Sequence, residues 1–289
     1  MSDAERRTVA ANLRRLGYGP DARLLIVHCD DLGMCHSENA ATFDALEGGI
    51  ATSASMLVPC PWAYAAARHV ASHPDLDVGV ELAFTSEWQA YRWKPVLGAA
   101  RCPSLVDDEG FLPRSVAEFL ERADRDQVEQ EGDAQIQLAL EWGVTPTHLV
   151  GHMGWYRDPR YHELMVDLAR RYRLPLRTRL ERGADAQDPL HEVLTADTYV
   201  GASLDPDALS GLSSKFASDL SDLRPGVTEM ILHVGLPTPE LQAITPDWQL
   251  RVAAHEAARH AEAVKRMLDL QGVTLIGWRP LLEAQRANA

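Results

Sequence analysis

The feature that most constrains the fold is a regular alternation of short apolar segments with longer helical patterns. The segment RLLIVHC (23–29) is dense in Leu, Ile and Val and is followed by acidic residues and Gly33, which is typical of a buried strand. The other predicted strands are 50–58, 76–84, 147–151, 174–178, 228–233 and 273–278. Because strands separated by helices form parallel β-α-β units, the pattern predicts an α/β fold, a deformed (β/α) barrel that is TIM-barrel-like, with parallel strands and outer helices.

The whole chain, residues 1–289, is predicted to form one domain, since no linker, internal repeat or low-complexity tract interrupts it. Helices are predicted at 37–47, with Ser37 as the N-cap, and at 62–72, 115–142, 161–172 and 247–270. Residues 1–20 are predicted to be a helical N-terminal extension. Residues 85–113 form a polar and aromatic insertion near the expected active-site mouth, and 180–225 has the least regular pattern.

Charge and composition exclude several classes of function. The 42 acidic residues outnumber the 28 basic ones, for a formal charge of −14, and such a surface repels nucleic-acid phosphates and anionic lipids. No apolar run is suited to a signal peptide or a membrane span. The four cysteines include no Cys-x-x-Cys pair. These features predict a cytoplasmic protein with free thiols that binds neither nucleic acid nor membrane.

Six polar residues stand at or near the carboxyl ends of predicted strands. They are Asp30, Asp31, Glu81, His152, Arg177 and His233. In parallel β/α barrels these strand ends meet at one mouth, where catalytic residues gather. The shared position therefore predicts that these six side chains lie together.

Each of these residues also has a purely structural interpretation. Asp30 and Asp31 can cap the helix that follows them, and a histidine at a strand end is commonly only hydrogen-bonded. Glu81 is harder to explain in that way, because a carboxylate between Val80 and Leu82 is costly to bury. It requires a cation, a metal or a position at a sheet edge.

The segment HCDDLGMCHSEN (28–39) resembles the opening motif of the YdjC-like carbohydrate deacetylases, a family that includes chito-oligosaccharide deacetylase. Further segments resemble the same family in the same order. They are TSASMLVPCPW (52–62), VGVELAFTSEW (78–88), PSLVDDEGFL (103–112), PTHLVGHMG (146–154), LPLR (174–177) and LHVG (232–235). The resemblance covers residues 24–278.

The resemblance implies a deformed barrel that removes N-acetyl groups from sugars with the help of a divalent metal. It places metal ligands on Asp31 and His152, the catalytic base on Asp30 and a late catalytic histidine on His233. Arg177 matches a family arginine near the site.

Two departures from the family pattern concern the metal site. Glu81 stands where the family has its middle histidine ligand, which gives the predicted set Asp31, Glu81 and His152. Val150 and Gly151 replace an acidic and a hydroxyl residue before His152, so we expect weaker support for that imidazole. Two carboxylates and one imidazole suit zinc or magnesium, with manganese and cobalt as alternatives.

The expected activity is hydrolysis of a linear amide C–N bond in a small N-acetylated sugar or oligosaccharide, with a metal-bound water as nucleophile. Asp30 is expected to take the proton of the water, and His233 to protonate the departing amine. Arg177 is expected to orient Asp30 or to stabilise the oxyanion. Two alternatives stay open: a sugar-binding or regulatory protein that has lost catalysis, and a hydrolase of a non-sugar amide or ester. A homodimer is compatible with the sequence.

Aromatic side chains near the mouth are candidates for stacking on sugar rings. They are Trp88, Tyr91 and Trp93 in the insertion and Trp155 after His152. The alternative is that they pack the insertion against the barrel or against a second subunit. Cys29 and Cys35 are predicted to be buried structural thiols. The remaining histidines on predicted helices or loops are interpreted as surface positions; they are His69, His73, His162, His255 and His260.

Overall fold

Seven parallel strands form one sheet, which curls into a half-barrel surrounded by helices, as the sequence predicted. The computed structural model describes residues 3–178, 190, 193–201, 220, 223–259 and 261–287. The strands are β1 (Arg23–Leu32), β2 (Ser53–Leu57), β3 (Val78–Leu82), β4 (Leu149–Gly151), β5 (Thr198–Gly201), β6 (Gly226–Leu232) and β7 (Val273–Leu275). Their order across the sheet is β4-β3-β2-β1-β6-β5, and β7 pairs with β1.

The helices follow the predicted alternation. They are α1 (Asp3–Arg15), α2 (His36–Glu47), α3 (Ala63–Ser72), α4 (Val116–Arg122), α5 (Arg125–Glu141), α6 (Pro159–Tyr172), α7 (Pro239–Ile244), α8 (Trp248–Arg259), α9 (Ala261–Leu270) and α10 (Arg279–Ala287). The helix predicted over 115–142 is divided because Asp124 caps α5 by accepting hydrogen bonds from the backbone N–H groups of Asp126 and Gln127. The predicted N-cap at Ser37 is wrong. α2 begins at His36, and the hydroxyl of Ser37 contacts Thr238 and Glu240 instead.

β1 is the central strand of the sheet. It pairs with β6 from Arg23 to Cys29, with β7 over its first three residues, and with β2 near its carboxyl end. Its residues from Leu24 onward are buried, which is why the segment is a continuous apolar run rather than an alternating one.

The pairing of β1 with β2 shifts where β1 reaches the mouth. Cys29 pairs with Ala54 and Leu32 pairs with Met56, so β1 carries one more residue than β2 over this stretch. Asp30 and Asp31 lie in this bulge, and Asp31 has φ of 65°, in the left-handed region. Bulges re-aim side chains at the rims of barrels, and here the bulge turns two consecutive aspartates toward the mouth.

Several strands are shorter than the apolar segments that predicted them, because only part of each segment is hydrogen-bonded to a neighbouring strand. The strand predicted at 174–178 is reduced to an isolated bridge between Leu149 and Leu176. β5 lies within 180–225, where the sequence pattern was least regular, and much of that stretch falls outside the described residues. Within the described residues, no helix is both long and apolar enough to cross a membrane.

The space around Gly151 provides a test of this packing. A Cβ atom at Gly151 would lie 2.3 Å from Cδ1 of Tyr156, whose ring is buried. We therefore expect Gly151→Ser, which restores the hydroxyl residue of the family pattern, to lower the free energy of unfolding by about 1–3 kcal/mol. Urea denaturation measures the loss. The matched control is Gly201→Ser in β5, where nothing lies within 4 Å of the position that a Cβ would take, and equal losses in the two variants would contradict the prediction.

Candidate functional site

Three of the predicted site residues converge at the mouth. Asp31 comes from the bulge of β1, Glu81 from the carboxyl end of β3, and His152 follows β4 directly. Each offers one ligand atom, and these atoms all lie within 4.8 Å of one another. All three side chains are buried, so Glu81 is neither at a solvent-exposed edge nor turned away from the cluster.

The carboxylate of Glu81 is fixed through one of its two oxygens. Its Oε2 accepts hydrogen bonds from the hydroxyl of Ser55 at 2.6 Å and from the backbone N–H of Asp31 at 3.3 Å. Its Oε1 lies 2.9 Å from Nδ1 of His152, and Oδ1 of Asp31 lies 3.5 Å from the same nitrogen. Ser55 therefore orients Glu81 while leaving one oxygen directed at the cluster.

The imidazole of His152 has a support that the sequence did not predict. Its Nε2 lies 3.1 Å from Oε1 of Glu87, a partly buried residue of the insertion. When Nε2–H donates to Glu87, the lone pair of Nδ1 faces Asp31 and Glu81. A carboxylate in this position is the usual partner of a metal-ligating histidine. Glu87 thus supplies the orienting acceptor whose loss we expected from Val150 and Gly151.

The electrostatics of the cluster favour a positive charge. Burial lowers the pKa of His152, but the charges of Glu87 and Glu81 and their hydrogen bonds outweigh burial and raise the pKa well above its usual value. Burial raises the pKa of Asp31, yet Arg251, His233 and His152 together bring it below its usual value. The cluster therefore combines an ionised Asp31 with an imidazole, that of His152, at which the surrounding carboxylates stabilise a positive charge.

Arg251 is a buried site residue that the sequence analysis missed. It lies on α8, its Nη1 donates to Oδ2 of Asp31 at 2.9 Å, and it also contacts Oε1 of Glu38. Burial raises the pKa of Glu38 well above its usual value, although the positive charge of Arg251 acts to lower it. Glu38 therefore favours its neutral form, and Arg251 chiefly balances the negative charge of Asp31. Arg251 shares the inner face of α8 with the buried His255, four residues later, and only the packing of the helix shows which face that is.

Asp30 is clamped by Arg177. The guanidinium donates to both carboxylate oxygens, at 2.6 and 2.7 Å, and to both oxygens of Glu229, at 3.0 Å each. Burial raises the pKa of Asp30, but Arg177 and His28 outweigh it and hold the pKa well below its usual value. Arg177 thus fixes the position of the Asp30 carboxylate, and its charge favours the ionised form of Asp30.

Behind Asp30, two buried histidines form a support that the sequence analysis also missed. His28 Nδ1 lies 2.8 Å from Oδ1 of Asp30, and His28 Nε2 lies 2.8 Å from Nε2 of His148. Burial is the main cause that lowers the pKa of His148, so this imidazole stays neutral. The alternation of residues along β1 could have indicated His28, which is two residues before Asp30.

His233 is the exposed member of the site. Its side chain is 46% exposed, and its Nε2 lies 3.9 Å from Oδ2 of Asp30 and 4.0 Å from Oδ2 of Asp31. An imidazole in this position faces both the two aspartates and the solvent.

The four aromatic candidates for sugar stacking lie in different environments. Trp93 and Trp155 are buried, so neither presents a face to a ligand. Trp88 Nε1 lies 3.2 Å from the sulfur of Met34, and the hydroxyl of Tyr91 donates to the carbonyl of Met34. These contacts pack the insertion against the residues that follow β1, and because Trp88 and Tyr91 are partly exposed, stacking of a sugar on them stays a prediction.

The predictions for the cysteines and for the remaining histidines have different outcomes. Cys29 and Cys35 are buried free thiols, as predicted. The interpretation of His255 as a surface residue is wrong, because it is buried and its Nε2 lies 2.8 Å from Oδ2 of Asp44. His260 lies outside the described residues.

The donor set fits a divalent cation. Oδ1 of Asp31 is buried and forms no hydrogen bond with any residue that the structure describes, although it faces the cluster. A buried carboxylate oxygen without a donor is costly unless a cation approaches it. Together with Oε1 of Glu81 and Nδ1 of His152, it offers the oxygen and nitrogen donors that zinc and related divalent metals accept.

Comparison with known proteins assigns the family. The sequence profile of the YdjC-like proteins matches residues 24–269. The chain belongs to the YdjC-like family. This YdjC-like protein is 35% identical over 287 residues to a protein of Thermus thermophilus named carbohydrate deacetylase, covering 94% of this chain and 98% of that one. It is 30% identical over 158 residues to a chitooligosaccharide deacetylase of Yersinia enterocolitica, covering 54% of this chain and 59% of that one.

A solved structure shares the fold. A protein of Enterococcus faecalis, described provisionally as a cellobiose-phosphate cleavage protein, superimposes with a TM-score of 0.76 at 25% identity. The match covers 90% of this YdjC-like chain and 99% of the Enterococcus chain. The two proteins thus share the half-barrel fold across almost the whole length of this chain.

Removing the charge of Arg251 should destabilise the protein strongly. Arg251→Met removes from the buried Asp31 carboxylate the positive charge that does most to balance it, and breaking a buried pair in this way costs about 3–5 kcal/mol of unfolding free energy. The control is Arg259→Met on the same helix, which removes an exposed pair with Glu256 and should cost less than about 1 kcal/mol. Urea unfolding of both variants compares the two losses. A similar small loss in both would show that Arg251 does not balance Asp31.

Proposed function

We propose that this protein is a metal-dependent carbohydrate deacetylase that hydrolyses the N-acetyl group of an amino sugar or a short glycan. The names of its relatives support the reaction class and the sugar substrate. The observation that carries the metal dependence is the buried cluster of Asp31, Glu81 and His152, in which one oxygen of Asp31 has no hydrogen-bond donor among the described residues.

The metal would be held by Asp31, Glu81 and His152, with Glu87 and Ser55 orienting two of these ligands. When bound, a divalent metal supplies polarisation of the amide carbonyl and lowers the pKa of a water molecule. Zinc, magnesium, manganese and cobalt are all compatible with the donor set.

The proton transfers fall to Asp30 and His233. Asp30 is ionised and fixed by Arg177, so it can accept the proton of the water that attacks the acetyl carbon. The low pKa of Asp30 makes it a weak base. The attacking water must therefore be made more acidic before it can give its proton to Asp30. His233, at the exposed edge beside both aspartates, donates a proton to the amine nitrogen as the C–N bond breaks. The products are acetate and the free amino sugar.

Glu81 changes the charge of the site relative to the family pattern. A carboxylate in place of a neutral imidazole adds one negative charge beside Asp31, and Arg251 lies close enough to Asp31 to offset part of it. The additional charge should weaken the metal as a Lewis acid, so a site with histidine at position 81 would polarise the substrate more strongly.

Acetate release from N-acetylglucosamine and its short oligomers tests the proposed reaction. We expect turnover by the purified protein, loss of turnover after treatment with a chelator, and recovery when a divalent metal is added back. Elemental analysis before and after chelation gives the metal content independently of activity. Turnover that survives complete metal removal would refute the metal dependence, whereas sugar binding without acetate release would favour a non-catalytic role.

Variants of Glu81 test its role as a ligand. Glu81→Ala should lower metal content and abolish metal-dependent acetate release, because the cluster loses one of its three donors. Glu81→His restores the family donor and should keep or raise the activity. Circular dichroism and thermal denaturation show whether each variant folds, and full metal occupancy in Glu81→Ala would show that Glu81 is not a ligand.

A further inference from the structure

A second cluster of potential ligands lies on the outside of the barrel, between α2 and α3. Glu47 is the last residue of α2, His69 is in the last turn of α3, and His73 follows α3 directly. Each offers one ligand atom, and these atoms lie within 4.8 Å of one another. We propose that these three residues form a surface site for a divalent transition-metal ion such as Zn²⁺ or Cu²⁺, separate from the mouth.

The tautomer of His73 is set for metal binding. Its Nδ1 lies 2.8 Å from the carbonyl oxygen of His69, which can only accept a hydrogen bond, so Nδ1 carries the proton. The Nε2 of the neutral ring then has a free lone pair. Metal-ligating histidines are commonly oriented in this way, by donation from the other ring nitrogen to a backbone carbonyl.

The other two ligands are already close together. Nε2 of His69 lies 2.7 Å from Oε1 of Glu47, and a metal ion would replace the proton that they share. The rings of His69 and His73 are stacked, with centroids 4.2 Å apart and planes inclined by 19°, and the ring of Phe43 packs against His69 with centroids 3.9 Å apart. Because an imidazole binds a metal ion in the plane of its ring, one of the two stacked rings must turn out of the stack before both can bind the same ion, and neither ring is buried.

The donor types select the class of metal. Two imidazoles and one carboxylate favour Zn²⁺, Cu²⁺ or Ni²⁺ over Mg²⁺ and Ca²⁺, which prefer sets made of oxygen alone. Glu47 and His73 are exposed and His69 is partly exposed, so water can complete the coordination. An ion at this point would link the ends of α2 and α3 and should stabilise the folded protein.

Titration of the full-length protein with Zn²⁺ by calorimetry tests the site. The wild-type titration should show a Zn²⁺ site in addition to that of the mouth. We expect His73→Gln and Glu47→Gln each to lower the Zn²⁺ affinity of this additional site by more than about tenfold. Zn²⁺ should also raise the melting temperature of the wild-type protein more than that of either variant. The matched control is His162→Gln, which removes a partly exposed histidine on α6 and should leave the titration unchanged.

Titration with Cu²⁺ separates this site from the mouth. Electron paramagnetic resonance should show coupling to two imidazole nitrogens that disappears in His73→Gln, whereas the mouth offers only the one imidazole of His152 among its three donors. Because all the substituted side chains are at least partly exposed, circular dichroism should show intact folding. Titrations of His73→Gln and Glu47→Gln that match the wild type, or an equal loss in His162→Gln, would overturn the proposal.

Discussion

The mouth of the half-barrel depends on the pairing of buried acidic side chains with two buried arginines. Arg177 holds Asp30 and Glu229 together, and Arg251 holds Asp31 beside Glu38. Without these cations, neighbouring carboxylates at the end of β1 would repel one another in surroundings that solvate them poorly. The two arginines come from different parts of the chain, so the site forms only when the fold around β1 is complete.

The two aspartates have different environments although they are adjacent in sequence. Asp30 has both oxygens engaged by Arg177, whereas Asp31 has one oxygen on Arg251 and the other directed at Glu81 and His152. The bulge in β1 makes this division possible, since it aims two consecutive side chains into one mouth. One aspartate is thereby suited to proton transfer and the other to binding a cation.

The insertion after β3 closes the site from the side. Glu87 orients His152, and Trp93 is buried close to the same imidazole, with ring centroids 6.5 Å apart. The insertion thus supplies a hydrogen bond to His152 through Glu87, and through Trp93 it supplies packing that excludes water from one side of the imidazole. Its aromatic residues Trp88, Tyr91 and Trp93 contribute to the packing of the mouth.

Sequence patterns predicted the parallel fold and six residues near one mouth, because a buried strand followed by polar residues is a local feature. The strand from Arg23 and the polar residues at its end are visible in the order of the amino acids alone. The same local reasoning failed at Ser37, whose hydroxyl contacts α7 and the residue before it rather than its own helix, and at His255, which α8 buries.

The amino-acid sequence by itself determined the family, the parallel sheet and the presence of an Asp-Asp pair with a distant histidine. Only the tertiary structure decided that Glu81 faces the cluster and that Glu87 and Arg251 complete it. Arg251 lies 220 residues from Asp31, and Glu87 lies 65 residues from His152. No periodicity connects positions so far apart, since their contact follows from how the sheet curls and how the insertion and α8 pack over its edge.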